Sequence, residues 1–179
     1  MRITTGEYKG RRIKIIPGIR PTQEKVRKAL FDIIGNIEGL TFLELFAGSG
    51  AVGFEAISRR ASEVVLVESN SSCVSAIRKN IEILKPKRCA VYPFDAQRAI
   101  QSLKKAGKSF DIIFLDPPYH QDLAKKTLQT LGAYDILAPN GLIVVQHSKR
   151  ESLPDSLGVL SLFRQSKYAE TLLSFYSKG

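Results

Sequence analysis

From position 40 onward the chain alternates between short apolar runs and longer stretches in which apolar residues recur every three or four positions. The runs at 40–43, 64–67, 89–94, 112–115 and 142–145 are too short for helices and are bounded by polar or turn-forming residues, so each reads as a buried strand. Between them, 51–60, 71–84, 96–105 and 122–131 carry helical spacing. Strands and helices in strict alternation predict a parallel sheet wrapped on both faces. The pattern then changes: residues 159–165 and 171–176 read as two strands joined by a polar turn, an antiparallel hairpin that completes the sheet.

The amino-terminal part has a different rhythm. Residues 1–17 alternate as two short strands around the turn Tyr8-Lys9-Gly10. Thr22 is the expected N-cap of a helix whose Val26, Ala29, Leu30, Ile33 and Ile34 share one face, and Gly35 and Asn36 end it. The expected organisation is a single domain over 1–179, with a basic hairpin-and-helix extension at 1–38 and a core at 39–179.

Two motifs sit where such a sheet puts its ligands, at the carboxyl ends of strands. The first is Glu44-Leu45-Phe46-Ala47-Gly48-Ser49-Gly50, between the first strand and the first helix of the core. Gly48, Gly50 and Gly53 fit a dinucleotide-type fingerprint, in which glycines permit a tight turn and close backbone approach. Glu68 follows about 20 residues on, after the second strand, where a carboxylate can accept from ribose hydroxyls. By itself this pattern serves a nicotinamide dehydrogenase as well as a methyltransferase. Glu44 favours the latter, because a nicotinamide site gains little from an acid there, whereas S-adenosylmethionine carries a cationic amino group beside its sulfonium. Asp95 ends the third strand and is placed to accept from an adenine amine.

The second motif is Asp116-Pro117-Pro118-Tyr119, directly after the fourth strand. An exocyclic amine on an aromatic ring is a poor nucleophile, since its lone pair is delocalised. A stiff acceptor pair, the Asp116 carboxylate and the Pro117 carbonyl, can bond both amine hydrogens and aim the lone pair at a methyl donor. The two prolines supply the stiffness, and the Tyr119 ring can stack on the base. A target inside a duplex must be flipped out or already single-stranded. Adenine N6, cytosine N4 and guanine N2 all present such an amine.

Charge identifies the polymer class. The 179 residues carry a formal net charge of +10, which points to a polyanionic partner. Residues 1–30 hold nine of the Lys and Arg residues, Arg2, Lys9, Arg11, Arg12, Lys14, Arg20, Lys25, Arg27 and Lys28, against Glu7 and Glu24 alone. Such an arm neutralises phosphates without reading sequence. Cys73 and Cys89 lack both metal-ligand spacing and disulfide density, and His120 and His147 belong to no ligand cluster, so no metal is expected. With no long apolar stretch and no signal-peptide core, a soluble cytoplasmic protein is expected, with no membrane partner.

Arg20-Pro21-Thr22, the Glu-Leu-Phe-Ala-Gly-Ser-Gly loop, Asp116-Pro117-Pro118-Tyr119 and Tyr168-Ala169-Glu170-Thr171 together resemble the RsmD family, which methylates N2 of a guanine in bacterial 16S ribosomal RNA. Gly10-Arg11-Arg12 followed by Arg-Pro-Thr is closer to this family than to DNA adenine methyltransferases. One departure is Ala169, where family members often carry glycine. The resemblance implies a class I S-adenosylmethionine-dependent methyltransferase (Rossmann-like) fold. Its mostly parallel seven-stranded sheet would end in the antiparallel hairpin. It further implies Asp116, Pro117, Pro118 and Tyr119 around the target amine. S-adenosylmethionine would lie against Glu44, Leu45, Phe46, Ala47, Gly48, Gly50, Glu68, Ser69, Asp95, Ala96 and Asp116. Arg11, Arg12, Arg20 and Thr22 would contact ribosomal RNA, either free or in a partly assembled small subunit, and the enzyme would act as a monomer. A nicotinamide oxidoreductase and a non-catalytic RNA-binding module are the alternatives from other classes.

Overall fold

The computed structural model describes residues 1–16, 24–118 and 122–179. Among these residues, five helices and eight strands follow in chain order: α1 (Glu24–Ile34), β1 (Thr41–Leu45), α2 (Ala51–Ser58), β2 (Glu63–Val67), α3 (Ser71–Leu84), β3 (Cys89–Tyr92), α4 (Ala96–Lys105), β4 (Phe110–Leu115), α5 (Leu123–Tyr134), β5 (Leu137–Ser148), β6 (Ser156–Leu157), β7 (Leu160–Tyr168) and β8 (Thr171–Lys178). They build one sheet in the order β3-β2-β1-β4-β5-β8-β7-β6. The first five strands in that order are parallel, and β8 enters antiparallel to β5. The chain order reverses between β1 and β4, the crevice position where open α/β sheets bind ligands.

Side-chain alternation along the strands produces two cores. Phe42, Val64, Leu66, Ile112, Phe114, Val144, Leu173 and Phe175 face α1, α2, α3 and the amino-terminal arm. Leu43, Leu45, Val65, Val67, Ile113, Leu115, Ile143 and Val145 face α4 and α5. Strands buried on both faces explain the unbroken apolar runs in the sequence.

Three elements differ from the sequence expectation. Of the two strands expected in 1–17, the described residues keep a short antiparallel pairing, with Ile3 N–H bonded to the Arg11 carbonyl (3.0 Å), Gly10 N–H to the Ile3 carbonyl (2.9 Å) and Ile13 N–H to the Met1 carbonyl (3.0 Å) around the one bridge of Arg2 with Arg12, and the pairing stops at Ile3. The reason is that Thr4 and Thr5 donate their backbone N–H groups to the Glu55 carboxylate of α2, both at 2.9 Å, instead of to a partner strand. The fifth strand begins at Leu137, before the expected turn at Pro139-Asn140-Gly141, and absorbs it through a register shift against β4. The sheet gains an eighth member, the two-residue β6 pairing with β7. Between β7 and β8, Ala169 sits at φ 53°, a left-handed conformation that glycine adopts without strain.

The arm lies across α2 and α3 and is bolted down by polar contacts. Glu55, 1% exposed, accepts from the backbone and hydroxyl of both Thr4 and Thr5. Arg27 of α1 is equally buried, with Nε 3.5 Å from the Glu55 carboxylate, an ion pair rather than a hydrogen bond. Its other nitrogens reach Met1 Sδ and the Arg2 carbonyl. The Asn80 amide brackets Lys14, accepting from its N–H and donating to its carbonyl. Arg27 therefore leaves the set of phosphate-facing residues: its charge is spent inside the protein.

Candidate active site

The loop after β1 is wound tightly. Phe46, Gly48 and Gly50 have φ of 62°, 55° and 74°. For glycine this costs little; at Phe46 it is a strained conformation held by its surroundings, of a kind that clusters at ligand sites. Backbone bonds from Ala47 N–H to the Val67 carbonyl (2.9 Å) and from Gly50 N–H to the Ala47 carbonyl (2.7 Å) fix the turn against β2. Gly50 precedes α2 without a side-chain cap. Glu44 fills that role from beneath: its Oε2 accepts from Gly53 N–H at 2.8 Å. A carboxylate at a helix N-terminus also opposes the helix dipole favourably.

Glu44 is 2% exposed. Burial pushes its pKa up to about 8, the hydrogen bonds from Gly53 and Val52 lower it, and the neighbouring Asp116 and Glu68 charges raise it again. Three carboxylates thus converge at the ends of adjacent strands. Glu68, half-buried, accepts from Gly48 N–H and Asn70 N–H, both at 2.7 Å, one on each oxygen. An ionised carboxylate has about four acceptor positions, so two remain for ribose hydroxyls. Asp95 is exposed and caps α4, its Oδ1 accepting from Arg98 N–H at 2.9 Å. Beside it, Phe94 packs edge-on to Tyr92 and carries the Arg98 guanidinium over its ring.

Asp116 continues the line of β4, its N–H directed at the Leu45 carbonyl at 3.4 Å, so the Asp-Pro-Pro segment opens directly against the glycine loop. Pro117 is buried and Pro118 exposed. Leu45 and Ala96 are core side chains on the α4/α5 side, which leaves their backbone as the part bordering the cleft; Ala47 packs on the opposite side and Ser69 is exposed. Arg11 and Arg12 are exposed on the arm, with Arg11 over the Tyr8 ring. Tyr119, His120, Arg20 and Thr22 lie outside the described residues. Among the described residues there is no His, Cys, Asp or Glu group able to hold a metal ion, and no helix long and apolar enough to cross a membrane.

Sequence reasoning missed two residues of this edge. Ser49, 4% exposed, has an Oγ without a hydrogen-bond partner. Gln146 of β5, 6% exposed, has its Oε1 in the same condition. Each is a polar residue inside a motif or at a strand end, a position that reads as solvated until the neighbouring strands are placed. The orphaned Ser49 oxygen, the spare acceptors of Glu68 and the acidic cluster around Glu44 fit a polar ligand bearing hydroxyls and a positive charge.

The fold and these polar strand ends define a Rossmann-like methyltransferase fold, and the structure superposes on YhhF of Escherichia coli with a TM-score of 0.88 at 31% identity, over 99% of this chain and 97% of that one. At the level of sequence, the profile of the family described as Conserved hypothetical protein 95 matches residues 1–177. YlbH of Bacillus subtilis (strain 168) is 36% identical over 182 residues, 99% of each chain. Ribosomal RNA small subunit methyltransferase D of Escherichia coli (strain K12) is 32% identical over 181 residues, 99% of this chain and 90% of that protein. The chain belongs to this RsmD/YlbH family.

Proposed function

We propose that the protein is an S-adenosylmethionine-dependent ribosomal RNA methyltransferase that modifies the exocyclic N2 amine of a guanine in 16S rRNA. The observation that carries this reading is the position of Asp116-Pro117-Pro118, opening at the end of β4 against the Gly48–Gly50 turn. An acceptor pair at that point would hold an amine beside a loop suited to a nucleoside, and the pairing of β4 with β1 supports that reading. The relatives named for small-subunit rRNA methylation support the choice of polymer.

When bound, S-adenosylmethionine supplies an electrophilic methyl carbon on a sulfonium. The residues of this chain supply position. Glu68 is set to accept from the ribose hydroxyls and Asp95 from the adenine amine. The carboxylates near Glu44 offset the cofactor's positive charge. The Asp116 carboxylate and Pro117 carbonyl accept the two amine hydrogens, which localises the lone pair toward the methyl group, and Tyr119 stacks on the flipped base. As the amine takes up positive charge, Asp116 stabilises it; the surplus proton then leaves to water. No strong base is required.

The test is methyl transfer from labelled S-adenosylmethionine to small ribosomal subunits, and separately to naked rRNA, from a strain lacking the gene, followed by nucleoside mapping. Appearance of N2-methylguanosine at one site is the expected result. Label in N6-methyladenosine or N4-methylcytidine would replace guanine by another base, and label in neither substrate would refute the reading.

A further inference from the structure

The basic arm does not stand alone. Asn80, 1% exposed in α3, holds Lys14 by both backbone groups, accepting from its N–H at 2.8 Å and donating to its carbonyl at 3.0 Å. A second basic segment is thereby brought beside the first: residues 71–88 carry Arg78, Lys79, Lys85, Lys87 and Arg88 against Glu82 alone. Arg78 and Lys79 directly precede the Asn80 clamp and are exposed. Among the described residues, no carboxylate stands within ion-pair distance of Arg11, Arg12, Lys14, Arg78 or Lys79, whereas Arg60, Lys108, Lys149 and Lys178 each have one. Clustered cations without counterions in the protein set up a local positive potential that attracts a polyanion.

We propose that the exposed face of α3 beside the arm is the second half of a phosphate-binding surface, on which Arg78 and Lys79 hold the backbone of the substrate RNA. This rests on the rRNA methyltransferase reading above and extends the RNA interface from the arm to α3. The side of the sheet agrees with that role. The arm and α3 pack on the core that contains Phe114, and alternation along β4 returns Asp116 to that same side. The helix also begins at the carboxyl edge, with Ser71 just after β2 ends at Val67. Arg78 lies two turns further on, about 10 Å from that edge at about 1.5 Å per residue. Between them Ser75 is exposed on the same stripe, and a hydroxyl there can also donate to a phosphate. Contacts of this kind position a nucleic acid without reading its sequence, so α3 supplies affinity and orientation while the choice of base stays with the cleft.

The test measures affinity against salt for naked 16S rRNA and for small subunits from the strain lacking the gene, scored on the probe that the parent enzyme methylates. Arg78→Ala/Lys79→Ala should flatten the plot of log affinity against log salt by about 1.4–1.8 and raise Kd roughly tenfold or more at about 0.1 M salt. Tm and S-adenosylmethionine affinity should stay at parent values, because both side chains are exposed. Arg78→Lys/Lys79→Arg keeps both charges and should keep the slope. Lys104→Ala/Lys105→Ala removes the same charge from α4, which packs on the other side of the sheet, and should leave the slope unchanged. An unchanged slope in Arg78→Ala/Lys79→Ala overturns the proposal. So does an equal loss in Lys104→Ala/Lys105→Ala, which would make the attraction a property of net charge rather than of this face. A fall in Tm or in S-adenosylmethionine affinity that matches the fall in RNA affinity would assign the pair a structural role and overturn it as well. If the parent enzyme methylates neither probe, the rRNA reading itself fails and this proposal with it, an outcome visible before any variant is made.

Discussion

Gly53 is the residue at which helix, loop and buried acid meet, and its replacement by alanine sets two known effects against each other. A glycine inside a helix costs roughly 1 kcal/mol relative to alanine, so Gly53→Ala would stabilise α2 if space allowed. Space does not allow it. A Cβ built on Gly53 would stand 2.2 Å from Leu66 Cδ2, 2.8 Å from Glu44 Oε2 and 3.2 Å from Val64 Cγ1. Leu66 and Val64 are fully buried strand residues with no room to retreat. Overpacking of this kind costs about 1–3 kcal/mol. Displacing Glu44 from Gly53 N–H adds a buried, under-satisfied carboxylate, about 1–3 kcal/mol more. The costs exceed the helix gain, and a net loss of about 2 kcal/mol is expected, or roughly 4–8 °C in Tm for a chain of this size. Urea unfolding should show a lower midpoint at unchanged slope. Gly132 of α5 provides the milder comparison, since a Cβ there meets the Leu157 carbonyl oxygen at 3.3 Å, a tight contact relieved by a shift of a few tenths of an ångström, and Gly132→Ala should cost less than Gly53→Ala. If Gly53→Ala proves as stable as the parent, helix and sheet are not in the close contact described, and the third glycine of the motif has another purpose.

Asp116→Ala should collapse turnover while weakening cofactor affinity, measured calorimetrically, far less; an equal loss of both would make Asp116 a structural residue of the loop. Removing Arg11 and Arg12 together should flatten the plot of log affinity for rRNA against log salt by about 1.4–1.8, and an unchanged slope would take the arm out of the RNA interface. Glu44 is held protonated by burial up to about pH 8, so a cationic cofactor group beside it should bind more tightly as pH rises from about 6 to about 8, with proton release visible as a buffer-dependent heat. Glu44→Gln should abolish that release; its persistence in the variant would assign the proton to another group. Burial alone would raise the pKa of Glu55, but its bonds from Thr4 and Thr5 and the Arg27 charge outweigh this and lower it. Its contribution to stability is therefore present above the ordinary carboxylate range and lost as pH falls below it. Glu55→Ala strands the buried Arg27 charge and should cost about 3–5 kcal/mol at neutral pH, a loss to be read from urea midpoints; a midpoint within experimental scatter of the parent would mean that the arm does not depend on this cluster.

The parallel sheet was legible because strands buried on both faces and helices buried on one leave different periodicities. The glycine loop and the strand-end acids were legible because tight turns and helix starts demand particular residue types at fixed offsets. What stayed hidden depends on contacts between distant segments. Glu55 lies in the middle of α2, where an acid ordinarily faces water; it is buried only because the arm and α1 close over it from positions some 30–50 residues earlier. The same closure removed Arg27 from the basic arm and cut the expected hairpin short at Ile3. Gln146 reads as the polar end of an apolar run, and nothing nearby in the sequence announces that β8 will cover its flank. The two residues of β6 carry no periodicity at all.

The acids at the sheet edge also decide between the two cofactor classes that the glycine pattern left open. Gly48–Gly50 could cradle a pyrophosphate as a dinucleotide fingerprint does, but here the turn is underlain by Glu44 and flanked by Glu68 and Asp116, close enough that both raise the Glu44 pKa. A dinucleotide would bring its phosphate charges onto a cluster of three acidic groups. A ligand with a cationic amino group and a sulfonium meets the opposite situation, because its positive charge is attracted by the acids and favours the ionised form of Glu44 that burial opposes. The acidic edge is therefore suited to a cation, and on the proposed reading that cation lies one strand away from the Asp116 carboxylate and Pro117 carbonyl proposed to hold the amine.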